Sequence, residues 1–177
     1  MFPILETERL ILREITQHDK EAIFSCFSNE ELLKHYGQEA FTDMAEAEAL
    51  IQLFSSNYKE NKGIRWGIER KGTEGLIGTV GFHALSPKHK RAEIGYEIHP
   101  DHWRKGYISE AVKGILQYGF HELSLSRIGA VVFTENDASN LLLKKLGFER
   151  EGVLRDYMVQ NDIAYDTYVY SLLKNSR

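Results

Sequence analysis

Apolar positions along the chain recur with two periods, and the switches between them predict the elements. Branched apolar residues crowd positions 10–15 (LILREI), which predicts a first strand ending over Thr16 to Asp19. Behind Asp19, a candidate N-cap, Ile23, Phe24 and Phe27 share one helical face. Ala47, Leu50, Ile51, Phe54 and Tyr58 predict a second helix from about Ala45 to Tyr58, with Asn61 and Gly63 marking its end. Arg65 to Glu69, a turn at Lys71-Gly72, and Leu76 to Leu85 read as a hairpin. Positions 92–99 then alternate, with Ala92, Ile94, Tyr96 and Ile98 on one face and Glu93, Gly95, Glu97 and His99 on the other. Ile108, Ala111, Val112, Ile115, Leu116 and Gly119 carry a helix to about Leu123. The near-continuous apolar run from Arg127 to Phe133 predicts a strand buried on both faces. A short helix from Ala138 to Leu146 stops at Gly147. Two last strands, Phe148 to Val159 and Ile163 to Leu173, flank Gln160-Asn161-Asp162. The order β-α-α-β-β-β-α-β-α-β-β predicts an α+β (mixed α/β) fold with helices around one mixed sheet.

Composition narrows the setting. The 177 residues suit one domain, 1–177, and 42% hydrophobic with 27% charged residues is ordinary for a globular chain. No run approaches the roughly 18 apolar residues of a membrane span. The opening MFPILETERL has no basic region before an apolar stretch, so no secretory leader is expected. The lone Cys26 has no internal disulfide partner, which points to a reducing cytoplasm; beside Phe24 and Phe27 it reads as a core residue. A formal charge of -4 speaks against non-specific nucleic-acid binding. The seven His residues do not cluster with Cys or carboxylates at ligand spacing, so no metal is expected. The basic run Lys88 to Arg91 reads as a solvated hairpin end rather than a phosphate contact.

Candidate chemistry concentrates in HPDHWRKGYISEA, from His99 to Ala111, where a strand passes through a loop with Gly106 into an amphipathic helix. A helix start offers unpaired N–H groups and a positive dipole end, which suits a phosphate. Arg104 and Lys105 add positive charge, and Ser109 and Glu110 supply polar groups in the first turn. The same spacing also suits a plain strand–turn–helix connection. Just after the buried strand, Asn136 or Asp137 reads as a helix cap and Ser139 as a first-turn residue. Glu93 and Glu97 share the polar strand face and are candidate proton acceptors, or solvated strand carboxylates.

WRKGYISEA resembles the coenzyme-binding loop of the GNAT (GCN5-related N-acetyltransferase) superfamily, (Gln/Arg)-x-x-Gly-x-(Gly/Ala) before a helix. Trp103, Gly106 and Ile108 hold its three motif positions, two of them departing from the broad pattern. Trp at the first position is familiar in the ribosomal-protein N-terminal acetyltransferase (RimJ/RimL-like) branch. The segments ETERLILREITQHD, AEIGYEIHP, ENDASNLLLKKLGFEREGVLRD and YDTYVYSLL resemble the same branch in the same order, covering about Leu5 to Leu173. The resemblance implies a splayed mixed sheet flanked by helices, with a V-shaped cleft between the strand ending at His99 and the strand ending near Thr134. It implies acetyl-coenzyme A in that cleft, its pantetheine arm along the Glu93–His99 strand and its pyrophosphate on amides of Arg104, Lys105, Gly106, Tyr107, Ile108 and Ser109. Asn136 is then expected on the pantetheine arm, Ser139 near the sulfur, and a backbone N–H near Ile98 at the oxyanion. Glu93 falls where some lysine-acetylating relatives keep a glutamate base. Glu97, nearer Ile98, is expected ahead of it. The glutamate that RimL-like relatives carry after the last Gly-rich turn corresponds to Met158 here. Tyr157, Tyr165, Tyr168 and Tyr170 are expected to pack the final hairpin, one or two hydroxyls reaching the cleft. The implied activity is N-acetylation of a primary amine, first a protein N-terminal α-amine. A polyamine, an aminoglycoside, or a non-catalytic acetyl-coenzyme A module are the alternatives, and a homodimer is left open.

Overall fold

The computed structural model describes residues 1–175. Its strands are β1 (Leu5–Glu6), β2 (Leu10–Glu14), β3 (Ile64–Arg70), β4 (Leu76–Ser86), β5 (Arg91–Ile98), β6 (Arg127–Phe133), β7 (Glu149–Gln160) and β8 (Ile163–Leu173). Its α-helices are α1 (Lys20–Phe27), α2 (Glu30–Leu33), α3 (Met44–Lys59), α4 (Tyr107–His121) and α5 (Asp137–Lys145). The expected order holds, with two additions. β1 has two residues and α2 four, too short to show a period; Asn29 starts α2 by accepting the Leu32 N–H (3.0 Å).

Local chemistry sets the boundaries. Asp43 and Glu46 form a capping box, so α3 begins at Met44. Asn61 (φ 55°) turns the chain after α3, Gly147 (φ 90°) after α5, and Asn161 and Asp162 (φ 51° and 61°) make the tight turn between β7 and β8. Asp19 does not cap α1 through its side chain as expected. Its carboxylate accepts the Thr16 N–H (2.9 Å) and pairs with Arg13 (2.9 Å), because the preceding residues Gln17–Asp19 already form a 3-10 turn.

The sheet runs β1-β2-β3-β4-β5-β6-β8-β7, and its β5–β6 neighbours are parallel while the other pairs are antiparallel. β5 and β6 pair only over Arg91–Glu93 and Arg127–Gly129. Beyond these residues the two strands separate, and the sheet splays. Val131 and Val132 of β6 are consequently half-buried rather than buried on both faces.

Two apolar cores sandwich the sheet. The larger lies under α4 and α5, where Ala111, Val112 and Ile115 meet Leu12, Trp66, Val80, Ile94 and Ile128. The smaller gathers α1, α2 and α3 around Ile23, Phe27, Leu33, Ala47 and Ile51. Cys26 belongs to this second core, and burial, with Glu97 nearby, pushes its thiol up to about 12.

Candidate functional site

The splay leaves one edge of β5 open. The His99 N–H bonds Ile77 C=O (2.8 Å) on the β4 side. By the alternation of antiparallel pairing, the amides of Ile94, Tyr96 and Ile98 therefore point into the gap. An amide-bearing chain laid in the gap meets a strand edge ready to pair. Trp103 closes the outer end of this edge, its indole N–H donating to Ile98 C=O (2.8 Å).

Beyond Ile98 the chain makes a short 3-10 turn, Pro100–His102, in which His99 Nδ1 accepts the Asp101 N–H (3.2 Å). Arg104 (φ 61°) and Gly106 (φ 79°) are left-handed, and they curl the loop onto the head of α4. The first helix-closing bond runs from the Glu110 N–H to Gly106 C=O (3.1 Å), so Tyr107, Ile108 and Ser109 enter the helix without carbonyl partners for their amides. Gly106 has no side chain to cap them. The Ile108 side chain packs against the main core, so its bulk stays out of the loop. The result is a cradle of unpaired amides, of the kind that suits an anion, at the end of the open β5 edge.

Behind the cradle lies a clamp that motif spacing did not reveal. Glu110 Oε1 accepts from Thr7 Oγ1 (2.6 Å) and from the Arg9 N–H (2.7 Å), and Oε2 accepts from Arg9 Nε (2.7 Å). Burial tends to raise the Glu110 carboxyl, but the bonds from Thr7 and Arg9 outweigh it and hold the group below the usual carboxylate range.

The other face of the splay carries the strand carboxylates, and their surroundings differ. Glu97 is buried, its side chain 2% exposed, rather than lying on an open strand face. Its Oε2 accepts from Arg65 Nη2 (2.5 Å) and Tyr36 OH (2.9 Å), and its Oε1 accepts from Thr79 Oγ1. Burial first, then the Glu97 charge, pushes the Tyr36 hydroxyl well up. Glu93 sits at the vertex of the splay, opposite Gly129, with its side chain 39% exposed and His83 Nε2 3.2 Å away. The His83 hydrogen bond, opposed by partial burial, holds Glu93 below the usual carboxylate range.

At the head of α5, Asn136 Oδ1 accepts the Ser139 N–H (3.2 Å), so of the two candidate caps it is Asn136 that serves, and Asp137 is the first helical residue. Tyr96 OH donates to Ser139 Oγ (3.1 Å), so these two hydroxyls meet from β5 and α5. Burial pushes Tyr96 up to about 12, partly opposed by the bond to Ser139. Asn140 also went unnoticed in the sequence, although a polar residue beside the apolar Leu143 was a signal. Asn140 is buried, donates to Asn136 C=O (2.8 Å) and Phe133 C=O (3.2 Å), and accepts from Tyr170 OH (2.6 Å). The Tyr170 hydroxyl therefore holds α5 instead of lining the gap. Tyr165 stacks on Phe133 at 4.8 Å, Tyr168 packs against Arg150, and Tyr157 is exposed rather than packed. Met158 lies against Gly37 in the loop after α2. Lys88 to Arg91 are exposed at the end of β5 opposite the cradle. Among the described residues no three His, Cys, Asp or Glu side chains gather as a metal site would require, and no helix is long and apolar enough to cross a membrane.

The family model described as Acetyltransferase (GNAT) domain matches residues 9–149. The chain is 62% identical over 174 residues to "Uncharacterized N-acetyltransferase YoaA" of Bacillus subtilis, covering 98% of each chain. It is 33% identical over 127 residues to the same organism's "Putative ribosomal N-acetyltransferase YdaF", covering 72% of this chain and 68% of that one. Among solved structures it resembles spermidine N-acetyltransferase from Vibrio cholerae in complex with CoA and spermine. The TM-score is 0.83, with 26% identity over 93% of this chain and 95% of that one.

Proposed function

The chain belongs to the GNAT acetyltransferases, and from that premise we propose that this N-acetyltransferase acts on the α-amino group of a protein N-terminus. Acetyl-coenzyme A is the donor. In this reading its pantetheine amides pair along the open edge of β5, and its pyrophosphate meets the amides of Arg104 to Ser109. The likeness to the relative named "Putative ribosomal N-acetyltransferase YdaF" supports the acceptor class. The observation that carries it is the state of the strand carboxylates.

Glu97 already holds three donors, one of them a guanidinium, which leaves Glu93, with the His83 imidazole 3.2 Å away, as the solvent-facing carboxylate of the pair. A polyamine brings several ammonium groups and calls for carboxylates left without cation partners. A strand face with Glu97 so engaged offers an ammonium at most one open carboxylate, which suits a monoamine acceptor that needs little help. An α-amine has a pKa of about 7.7–8.0 and is partly neutral at neutral pH, whereas a lysine amine near 10.4 is almost wholly charged.

The neutral amine attacks the thioester carbonyl, forming the N–C bond, while the edge amides near Tyr96 and Ile98 meet the oxyanion. The C–S bond then breaks beside Ser139. Tyr96 donates to the Ser139 oxygen, which leaves the Ser139 proton available to the departing sulfur. A thiol pKa of about 8.5 makes the thiolate a fair leaving group, so that help is modest. The ammonium proton passes through water to Glu93, the carboxylate that solvent reaches, and Glu97 holds Arg65 and Tyr36 in the wall of the site.

Thiol release from acetyl-coenzyme A, measured across N-terminal peptides, polyamines and aminoglycosides, tests the reading. Peptides should show the highest kcat/KM. Faster turnover of a polyamine or aminoglycoside would overturn the acceptor assignment, and coenzyme binding without any acyl transfer would overturn catalysis.

A further inference from the structure

An anion cradle at the head of α4 has an internal conflict. Glu110 lies in the first turn of the helix, and its carboxylate would repel a diphosphate drawn to the same dipole. The Lys105 carbonyl, immediately before Gly106, carries lone pairs that would repel it as well. Arg9, in the turn between β1 and β2, meets both groups although it lies 101 residues from Glu110. Its Nε and backbone N–H donate to the two oxygens of Glu110, and its Nη1 donates to the Lys105 carbonyl (2.8 Å). Its guanidinium carbon also stands 4.5 Å from the centre of the Tyr107 ring. One side chain thus touches the residue before Gly106, the residue after it, and the carboxylate one turn on. A Cβ at Gly106 would come within 3.3 Å of Arg9 Nη2, so the clamp and the glycine fit each other closely.

We propose that Arg9 is a positioning residue for coenzyme binding: it cancels the Glu110 charge and turns the Lys105 carbonyl away, so that the diphosphate meets only N–H groups. This rests on the assignment of the cradle to the coenzyme's diphosphate. Thr7 completes the arrangement by fixing Glu110 Oε1. Glu110 takes one guanidinium bond, from Nε, beside the Arg9 backbone N–H, while Nη1 is spent on the Lys105 carbonyl, so one side chain bridges the two repelling groups.

Calorimetric titration with coenzyme A, together with rates on acetyl-coenzyme A and on S-acetyl-pantetheine, which lacks the phosphates, tests the assignment. Arg9→Met should weaken coenzyme A binding by about ten- to a hundredfold, the scale of a lost charge-assisted bond, and leave kcat/KM on S-acetyl-pantetheine unchanged. Arg9→Lys should fall between, since one ammonium reaches Glu110 without also holding the Lys105 carbonyl. Adding Glu110→Gln to Arg9→Met should recover part of the affinity, because the uncancelled charge is then gone. Wild-type affinity in Arg9→Met would overturn the proposal, and so would equal losses on both donors, which mark a general structural role. Wild-type protein that binds no coenzyme A would remove the cradle assignment and the proposal with it.

Discussion

Glu93 and Glu97 share one face of β5, yet their neighbours give them different surroundings. The period-2 pattern made the shared face legible, and the family resemblance, which implies the oxyanion near Ile98, ranked Glu97 first. What the pattern does not contain is the cover: Tyr36 reaches Glu97 from 61 residues away, and Arg65 from 32. A buried carboxylate paired with a guanidinium is costly to disturb, because removing it leaves an unpaired charge in the interior. Glu93 keeps solvent contact, and its depressed pKa keeps it ionised well into the acid range, able to take a proton that water delivers. Glu93→Gln should therefore lower kcat/KM on an N-terminal peptide most at low pH, where little neutral amine exists. The loss should shrink as pH rises towards the amine's own pKa of about 7.7–8.0, since solvent then supplies the nucleophile. Glu97→Gln should instead show first as a lower melting temperature. A Glu93→Gln profile that superimposes on wild type would take the base role from Glu93.

Between elements, the splay begins where β5–β6 pairing stops, after Glu93 and Gly129, and at the paired end a three-strand tie binds β6 to β7 and β8. Arg127 of β6 pairs through both terminal nitrogens with Glu151 of β7, which also accepts from Ser171 Oγ of β8. The Arg127 bonds, then the Ser171 bond, pull the Glu151 carboxyl from 4.5 to about 2. Its folded-state pKa lies below the unfolded one, so its stabilisation is present above about 4.5 and is lost as pH falls through about 2. Glu151→Gln should flatten the acid limb of the stability curve over that window, measured as urea midpoints from neutral to acid pH. The pair is partly exposed, so high salt should shrink the difference. Parallel curves for mutant and wild type would show that the tie does not couple to folding. The elements themselves were largely legible, because Gly147, Asn61 and Asn161-Asp162 act through their own backbones. The splay was not, since β5 and β6 read as ordinary strands along their whole length and only the family resemblance implied that they part. The Arg9–Glu110 clamp was equally invisible, because it joins two segments that are unremarkable taken singly.

Across the whole molecule, the two cores divide the work of the site. The main core carries α4 and α5, and with them the anion cradle and Ser139. The second core, under α1 to α3, backs the Tyr36–Glu97–Arg65 wall, on the side where the proposed reading puts the acceptor. Tyr36 links the two faces of that wall: its hydroxyl reaches Glu97, while its ring meets Phe27 at 5.8 Å and nearly at right angles. Phe27 is buried and also stacks on Phe41 at 5.5 Å. A disturbance in the second core should thus reach the acceptor wall through Tyr36 and leave the cradle alone. Phe27→Leu keeps an apolar side chain but loses both aromatic contacts and leaves a small void, at a cost of about 1–2 kcal/mol. For a chain of this size that should lower the melting temperature by about 2–8 °C. The variant's KM for the peptide should rise, because Tyr36 loses its backing, while its Kd for coenzyme A stays at the wild-type value. Steady-state kinetics and calorimetry on one preparation separate these outcomes. Equal weakening of peptide and coenzyme would mean that the cores act as one unit, and that the acceptor wall cannot be altered without moving the cradle.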